Sequence, residues 1–309
     1  MLPCPTPFDA AEAFAAEALR ANLARWHTTG VTGYVALGST GERVHLDERE
    51  YLSVLETMRA AVPESQLLIA GAGQQSVRHS LAEIKRAADA GADAVLVITP
   101  YFYRAAITQA ALVDYYTTIA DAAPVPVLLY SMPELTGIFI APETIAELSR
   151  HENVIGVKDS SGDIVRFAET LRLVPEEFAV LTGNGPLLYA ALTAGATGAI
   201  LAAACCAPQL AVEIFTAVRR GRYDRALKLQ RAFTPLARAV TVRYGIGGLK
   251  YALDLAGYTG GTVRAPLKLP APEARREIAQ LLSDALRYAD TAADVAADAA
   301  DSLSAGANV

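Results

Sequence analysis

A lysine that closes an apolar run is better placed for chemistry than for solvation. Lys158 ends the run Val154-Ile155-Gly156-Val157 and is followed by Asp159-Ser160-Ser161-Gly162-Asp163, so it stands where a buried strand opens into a polar loop. Most lysines are solvated surface charges. Desolvation disfavours the charged form of an amine, and a neutral amine is a nucleophile. It attacks a carbonyl carbon to form a Schiff base, an electron sink that needs no cofactor. A paired structural lysine is the other reading of such a position, because buried ion pairs also occupy strand ends.

Two further segments carry residues that a carbonyl chemistry needs. Gly38-Ser39-Thr40-Gly41-Glu42 follows an apolar run, and its glycines let backbone N–H groups turn inward on a carboxylate, as in an anion nest. Tyr130-Ser131-Met132-Pro133 follows another such run. In combination, Lys158 forms the iminium, the Ser39 and Thr40 loop holds a keto-acid carboxylate, and Tyr130 moves a proton. No metal is expected, since His27, His45, His79 and His151 form no ligand spacing. No Gly-x-Gly-x-x-Gly opens a helix after a strand, so no dinucleotide is expected, and the reading requires no cofactor.

The elements that position these residues are short and regular. Strand-like runs occur at Leu2 to Thr6, Gly33 to Leu37, Leu67 to Ala70, Ala94 to Ile98, Val125 to Tyr130, Val154 to Val157, Phe178 to Leu181 and Gly198 to Ala202. Amphipathic helical patterns lie between them, such as Leu46 to Ala61, Val77 to Ala90, Thr108 to Ala122, Pro142 to Arg150 and Leu187 to Ala194. Asp47 with Glu50 forms a capping-box signal, Pro142 suits a first helical turn, and Gly91 and Gly195 suit left-handed helix ends. Continuous apolar strands are buried on both faces, which calls for a parallel sheet covered by helices. Eight such units predict an α/β fold, a (β/α)8 TIM barrel over 1–220, with the chemistry at the C-terminal ends of the strands. Helices alone follow: Pro208 to Arg219, Tyr223 to Thr241, Gly245 to Ala256 and Pro272 to Asp290, giving a C-terminal helical bundle over 221–288. An Ala/Asp-rich stretch over 289–309 reads as a frayed, solvated tail.

Composition limits the partners. The chain of 309 residues is 52% hydrophobic, enough to bury a large core, and its formal net charge of -6 gives no reason to expect nucleic acid. Adjacent Cys205 and Cys206 with isolated Cys4 make neither a disulfide framework nor a zinc spacing, and suit a reducing compartment. Met1 to Phe8 has no basic segment leading into an apolar stretch, and no apolar run is long enough to span a membrane. A soluble, cytoplasmic protein acting on a small molecule is expected.

At these residues the chain resembles the dihydrodipicolinate synthase and N-acetylneuraminate lyase superfamily of pyruvate-handling class I aldolases. The GSTGE loop, the segment Thr99 to Arg104, YSMP and GVKDSSGD stand in family order over roughly Pro7 to Leu267. The resemblance implies Lys158 as Schiff-base residue, Tyr130 as proton donor and acceptor, and Ser39 in a proton relay. It places the pyruvate carboxylate on the Ser39 and Thr40 backbone; Ser160, Gly183 and Ile200 complete the expected substrate-binding set. It also implies a homotetramer, a dimer of dimers. The family's relay uses a tyrosine from the neighbouring subunit at the place of Phe102, so Tyr103 or Tyr101 must supply the hydroxyl or the relay is incomplete.

Subgroup features divide. Dihydrodipicolinate synthases carry a carboxylate-gripping arginine two residues after the proline of the tyrosine motif, and Leu135 stands there. Neuraminate lyases carry acidic residues where this chain has Gly183-Asn184-Gly185-Pro186. YSMP with Thr136-Gly137, KDS with Gly162-Asp163, Arg243 to Lys250, and Gly257-Tyr258 before Arg264-Ala265-Pro266-Leu267 most resemble 4-hydroxy-2-oxoglutarate aldolase. Cleavage of 4-hydroxy-2-oxoglutarate to pyruvate and glyoxylate is therefore the first expectation. A 4-hydroxy-tetrahydrodipicolinate (dihydrodipicolinate) synthase or a sugar-acid dehydratase or aldolase is the alternative within the superfamily. A non-catalytic pyruvate-binding protein is the alternative outside it.

Overall fold

The structure, a computed structural model, describes the backbone of residues 1–305 and the side chains of residues 1–288. Eight parallel strands run in chain order: β1 (Leu2–Pro3), β2 (Gly33–Ala36), β3 (Leu67–Ala72), β4 (Ala94–Ile98), β5 (Val127–Ser131), β6 (Val154–Asp159), β7 (Ala179–Thr182) and β8 (Gly198–Ala199). The ring closes at its two shortest members, where the Met1 amine donates to the Ala199 carbonyl at 2.9 Å and the Leu201 N–H to the Met1 carbonyl at 3.3 Å. The predicted (β/α)8 barrel is the fold.

The helices are α1 (Ala16–Trp26), α2 (Glu48–Ala61), α3 (Val77–Asp89), α4 (Gln109–Ala122), α5 (Pro133–Thr136), α6 (Pro142–Leu148), α7 (Ile164–Leu173), α8 (Leu188–Thr193), α9 (Pro208–Arg219), α10 (Tyr223–Arg238), α11 (Gly245–Leu255) and α12 (Pro272–Ala305). Local chemistry sets their ends. Asp47 accepts the Glu50 N–H at 2.8 Å while Glu50 accepts the Asp47 N–H at 3.2 Å, the reciprocal cap that starts α2. Pro142 opens α6, where its missing N–H costs no helical bond. Gly91 and Gly195 take φ of +85° and +112° after α3 and α8, conformations that a side chain would strain.

Strands place alternate residues on opposite faces. Val95, Val97, Val127 and Leu129 face the helices, whereas Ala94, Leu96, Leu128 and Tyr130 join Val35, Ile69, Leu181 and Ile200 in the barrel interior. Several boundaries differ from the sequence expectation, most by one to three residues; β1, for one, ends at Pro3 and not at Thr6. β5 begins after Pro126, which has no N–H to give; its carbonyl instead accepts from Val95 at 2.9 Å. β8 stops at Ala199, and a 3-10 turn over Ala202–Cys205 replaces the expected end of the strand. The helix expected to reach Thr241 ends at Arg238 and loosens into a π turn, Ala239–Arg243. The backbone of α12 continues to Ala305; the side chains of the predicted Ala/Asp tail, and all of residues 306–309, lie outside the described residues.

No described helix is long and apolar enough to cross a membrane. Cys4, Cys205 and Cys206 are free and buried. Burial pushes the Cys206 thiol up to about 12 and raises those of Cys4 and Cys205 as well. Thiols protonated in the folded chain and ionised in the unfolded one make stability fall as pH rises above the ordinary thiol value of about 8.5. Dithionitrobenzoate at pH 8 is expected to find no reactive thiol in the native protein and all 3 after unfolding in guanidinium. Rapid labelling of the native chain would contradict this burial.

Candidate active site

Tyr130 and Lys158 are register partners on β5 and β6, and both project inward at the C-terminal rim. Lys158 is 6% exposed, and its Nζ lies 4.3 Å from the centroid of the Tyr130 ring. The Tyr130 hydroxyl is 3.4 Å from Ser39 Oγ, which joins the loop after β2 to the strand pair. The rim is laced by backbone bonds. Ser160 N–H donates to Ser131 O at 2.9 Å, Gly183 N–H to Asp159 O at 2.7 Å, and Ile200 N–H to Thr182 O at 3.0 Å. Gly183 has no room for a side chain, since a Cβ there would stand 2.9 Å from Lys158 Cε and 1.9 Å from Ser160 Oγ. Lys158, Tyr130, Ser39, Ser160 and Gly183 therefore gather at one place, and Ile200 lies beneath them in the interior cluster with Tyr130.

The loop carrying Ser39 and Thr40 is built under constraint. Leu37 leaves β2 at φ +57°, and a Cβ on Gly71 would sit 2.1 Å from the Leu37 carbonyl, so β3 passes only because it has glycine there. Ser39–Gly41 forms one 3-10 turn, closed by Gly41 N–H to Gly38 O at 3.0 Å and braced by the Thr6 hydroxyl on Gly41 O at 2.7 Å. Such a turn leaves its first amides, those of Ser39 and Thr40, outside its own hydrogen bonding. They can receive an anion.

Glu42 follows at φ +54°. Its Oε1 meets Lys250 Nζ of α11 at 2.6 Å, with the side chains 1% and 0% exposed. The Lys250 ammonium also donates to the Thr262 carbonyl at 2.6 Å. The ammonium also lies 4.4 Å from the Phe8 ring centroid, and His45 Nδ1 stands 3.3 Å from Glu42 Oε2. Desolvation lowers the Lys250 pKa, and the Glu42 charge opposes that shift. Sequence reasoning assigned this pair no role. Its signal was a lone lysine inside the apolar stretch Gly245-Ile246-Gly247-Gly248-Leu249-Lys250-Tyr251-Ala252-Leu253.

Other residues stand elsewhere. Phe102 and Tyr103 are 71% and 72% exposed and pack edge-to-face on each other at 5.0 Å. The Gln75 Oε1 accepts the N–H groups of both Tyr101 and Phe102 at 2.9 Å, fixing that loop. Among the described residues neither aromatic ring contacts Ser39 or Tyr130 within the chain. Leu135, 59% exposed, lies on α5. Burial raises the Asp159 pKa, and Asp159 accepts the Ser161 N–H at 2.6 Å, shaping the turn after Lys158. Among the described residues no group of three or more His, Cys, Asp or Glu could hold a metal ion.

A parallel barrel with a buried lysine beside a tyrosine at its C-terminal rim has the architecture of a class I aldolase, and the chain is a carbon–carbon lyase of that type. It belongs to the Dihydrodipicolinate synthetase family, whose model matches residues 1–285. It is 35% identical over 280 residues to a 4-hydroxy-tetrahydrodipicolinate synthase of Natronomonas pharaonis, covering 90% of this chain and 94% of the relative. The 4-hydroxy-tetrahydrodipicolinate synthase of Methylacidiphilum fumariolicum SolV superposes with a TM-score of 0.90 at 26% identity, covering 95% and 97% of the two chains. YagE of E. coli K12, a dihydrodipicolinic acid synthase family protein solved in complex with pyruvate, gives 0.86 at 26% identity over 92% and 97%.

Removing one partner of a buried ion pair strands the other charge, at a typical cost of about 3–5 kcal/mol. Lys250→Met is expected to lower unfolding stability by an amount in that range, measured by chemical denaturation. Adding Glu42→Gln to it should recover part of the loss; a single variant as stable as the parent would show that the pair holds nothing.

Proposed function

We propose that the chain makes a Schiff base between Lys158 and pyruvate and uses it to join pyruvate to an aldehyde or release it from one. The observation that carries this reading is the buried Lys158 amine against Tyr130, with Ser39 at 3.4 Å from the tyrosine hydroxyl. Lys158 Nζ attacks C2 of pyruvate, and loss of water leaves the iminium. The iminium acidifies C3, whose proton passes to the Tyr130 oxygen as Tyr130 hands its own on to Ser39, and the C–H electron pair forms the enamine. The enamine carbon then attacks the aldehyde carbon and Tyr130 protonates the alkoxide that forms; Lys158 leaves C2 by hydrolysis, or, with an aldehyde that carries an amine, by attack of that amine on C2, which closes a ring and expels the lysine. Cleavage is the same sequence reversed. Ser39 relays the proton to and from Tyr130, the Ser39 and Thr40 amides hold the pyruvate carboxylate, and Ser160, Gly183 and Ile200 bound the pocket.

The names of the relatives favour synthesis of 4-hydroxy-tetrahydrodipicolinate from pyruvate and aspartate semialdehyde over the aldolase cleavage that the sequence motifs put first. Cleavage of 4-hydroxy-2-oxoglutarate is retained as the second reading on one observation, the likeness of Tyr130 to Gly137 and Lys158 to Asp163 to the aldolase motifs, with Leu135 where the synthases carry arginine. The same reading assembles the chain as a tetramer, a dimer of dimers, in which the exposed Phe102 and Tyr103 face a neighbouring copy.

Borohydride reduction in the presence of pyruvate is expected to add a reduced pyruvate adduct to the peptide that contains Lys158, and Lys158→Ala should lose both the adduct and turnover. Label on another lysine, or none under saturating pyruvate, would sink the assignment. Between the two substrates, a higher kcat/KM for aspartate semialdehyde with pyruvate supports the synthase reading; a higher value for 4-hydroxy-2-oxoglutarate cleavage supports the aldolase.

A further inference from the structure

Arg104 begins the short 3-10 turn after β4 and lies against Gly137, the residue that ends α5 at φ +70°. A Cβ built on Gly137 would stand 3.0 Å from Arg104 Nη1 and 3.2 Å from its Cζ, so the guanidinium occupies the space a side chain would need. Gln109 fixes the two loops to each other. Its Oε1 accepts the Ala141 N–H at 2.9 Å and the Thr144 hydroxyl at 2.8 Å, and its Nε2 donates to Phe139 O at 3.0 Å. The exposed Arg104 side chain lies beside the turn that carries Leu135 and ends at Gly137, seven residues beyond Tyr130 along the chain.

Two other arginines that follow barrel strands already have partners. Arg43, after β2, binds Glu83 at 2.6 Å, and Arg166, after β6, pairs with Asp163 at 3.3 Å while covering the Phe139 ring at 4.4 Å. Among the described residues the Arg104 guanidinium makes no ion pair or hydrogen bond, the only bond at this residue being that of its carbonyl with the Ile107 N–H at 3.1 Å. A guanidinium presents a fork of donors matched to a carboxylate and is the side chain suited to bidentate recognition of one.

We infer that Arg104 is the specificity-determining residue that receives the carboxylate of the aldehyde partner, from the β4 loop instead of from position 135. This rests on the proposed pyruvate chemistry and narrows its acceptor to an aldehyde bearing an anionic group, such as aspartate semialdehyde or glyoxylate, as against a neutral aldehyde. Ser39 and Thr40 then hold one carboxylate and Arg104 the other, at opposite ends of the bond being made or broken.

Steady-state condensation of pyruvate with aspartate semialdehyde, glyoxylate and acetaldehyde separates the possibilities. Charge-assisted hydrogen bonds of this kind correspond to about 10- to 100-fold in affinity. Arg104→Ala should raise KM for whichever anionic aldehyde the parent uses best by about that factor, with KM for pyruvate moving far less, and Arg104→Lys should recover part of the effect. The ratio of kcat/KM for the anionic aldehyde to that for acetaldehyde should fall. An Arg104 that merely braces α5 would move both KM values together and leave the ratio unchanged, and that result overturns the inference, as does no change at all. Borohydride trapping on the parent keeps the two proposals apart: failed trapping removes the Schiff-base reading and this inference with it, whereas normal trapping with an unaltered ratio removes Arg104 alone.

Discussion

The buried ion pair between Glu42 and Lys250 ties the C-terminal helices to the barrel at the place where chemistry is expected. Two full charges at 0% and 1% exposure are costly to desolvate, and each is tolerable only beside the other. The Thr262 carbonyl and the Phe8 ring complete the surroundings of the ammonium, and His45 stands by the carboxylate. Because Glu42 directly follows the Ser39–Gly41 turn, fixing its carboxylate also fixes the direction of the backbone amides before it. The helices beyond the barrel therefore act on the rim, through α11.

The remaining geometry follows from strand periodicity. An inward tyrosine on β5 and an inward lysine on β6 meet because the strands are parallel neighbours in register, and an offset of one residue would turn either side chain into the helical layer. Glycines sit where the packing leaves no room, at Gly71 against Leu37 O and at Gly183 against Lys158 and Ser160. The interior below is apolar, with Ile200, Leu128 and Leu181 around the tyrosine.

Much of this was legible in the sequence because it depends on local signals. The apolar runs of β4 and β6 and the helix caps at Asp47 and Pro142 lie in neighbouring residues, and so does the contrast that exposes Lys158 as unusual. Barrel closure was less visible: β1 and β8 are two residues each, and their pairing runs through Met1, Ala199 and Leu201 from opposite ends of the barrel sequence. The Glu42–Lys250 pair and the Arg104–Gly137 approach were invisible for the same reason, since each joins segments that only the folded chain brings together. The subgroup motifs pointed to an aldolase, whereas two of the relatives named above carry the name of a synthase; Leu135 does not decide between them where a cation on the adjoining loop replaces the missing one.

The central claim is that one rim site binds pyruvate covalently at Lys158 with its carboxylate on the Ser39 and Thr40 amides. A crystal structure of the protein soaked with pyruvate tests it most directly. The account predicts continuous density from Lys158 Nζ to C2 of pyruvate, the carboxylate within hydrogen-bond distance of both amides, and the Tyr130 hydroxyl facing the adduct. Pyruvate bound away from Lys158, or an adduct whose carboxylate turns away from the Ser39–Gly41 turn, would contradict it.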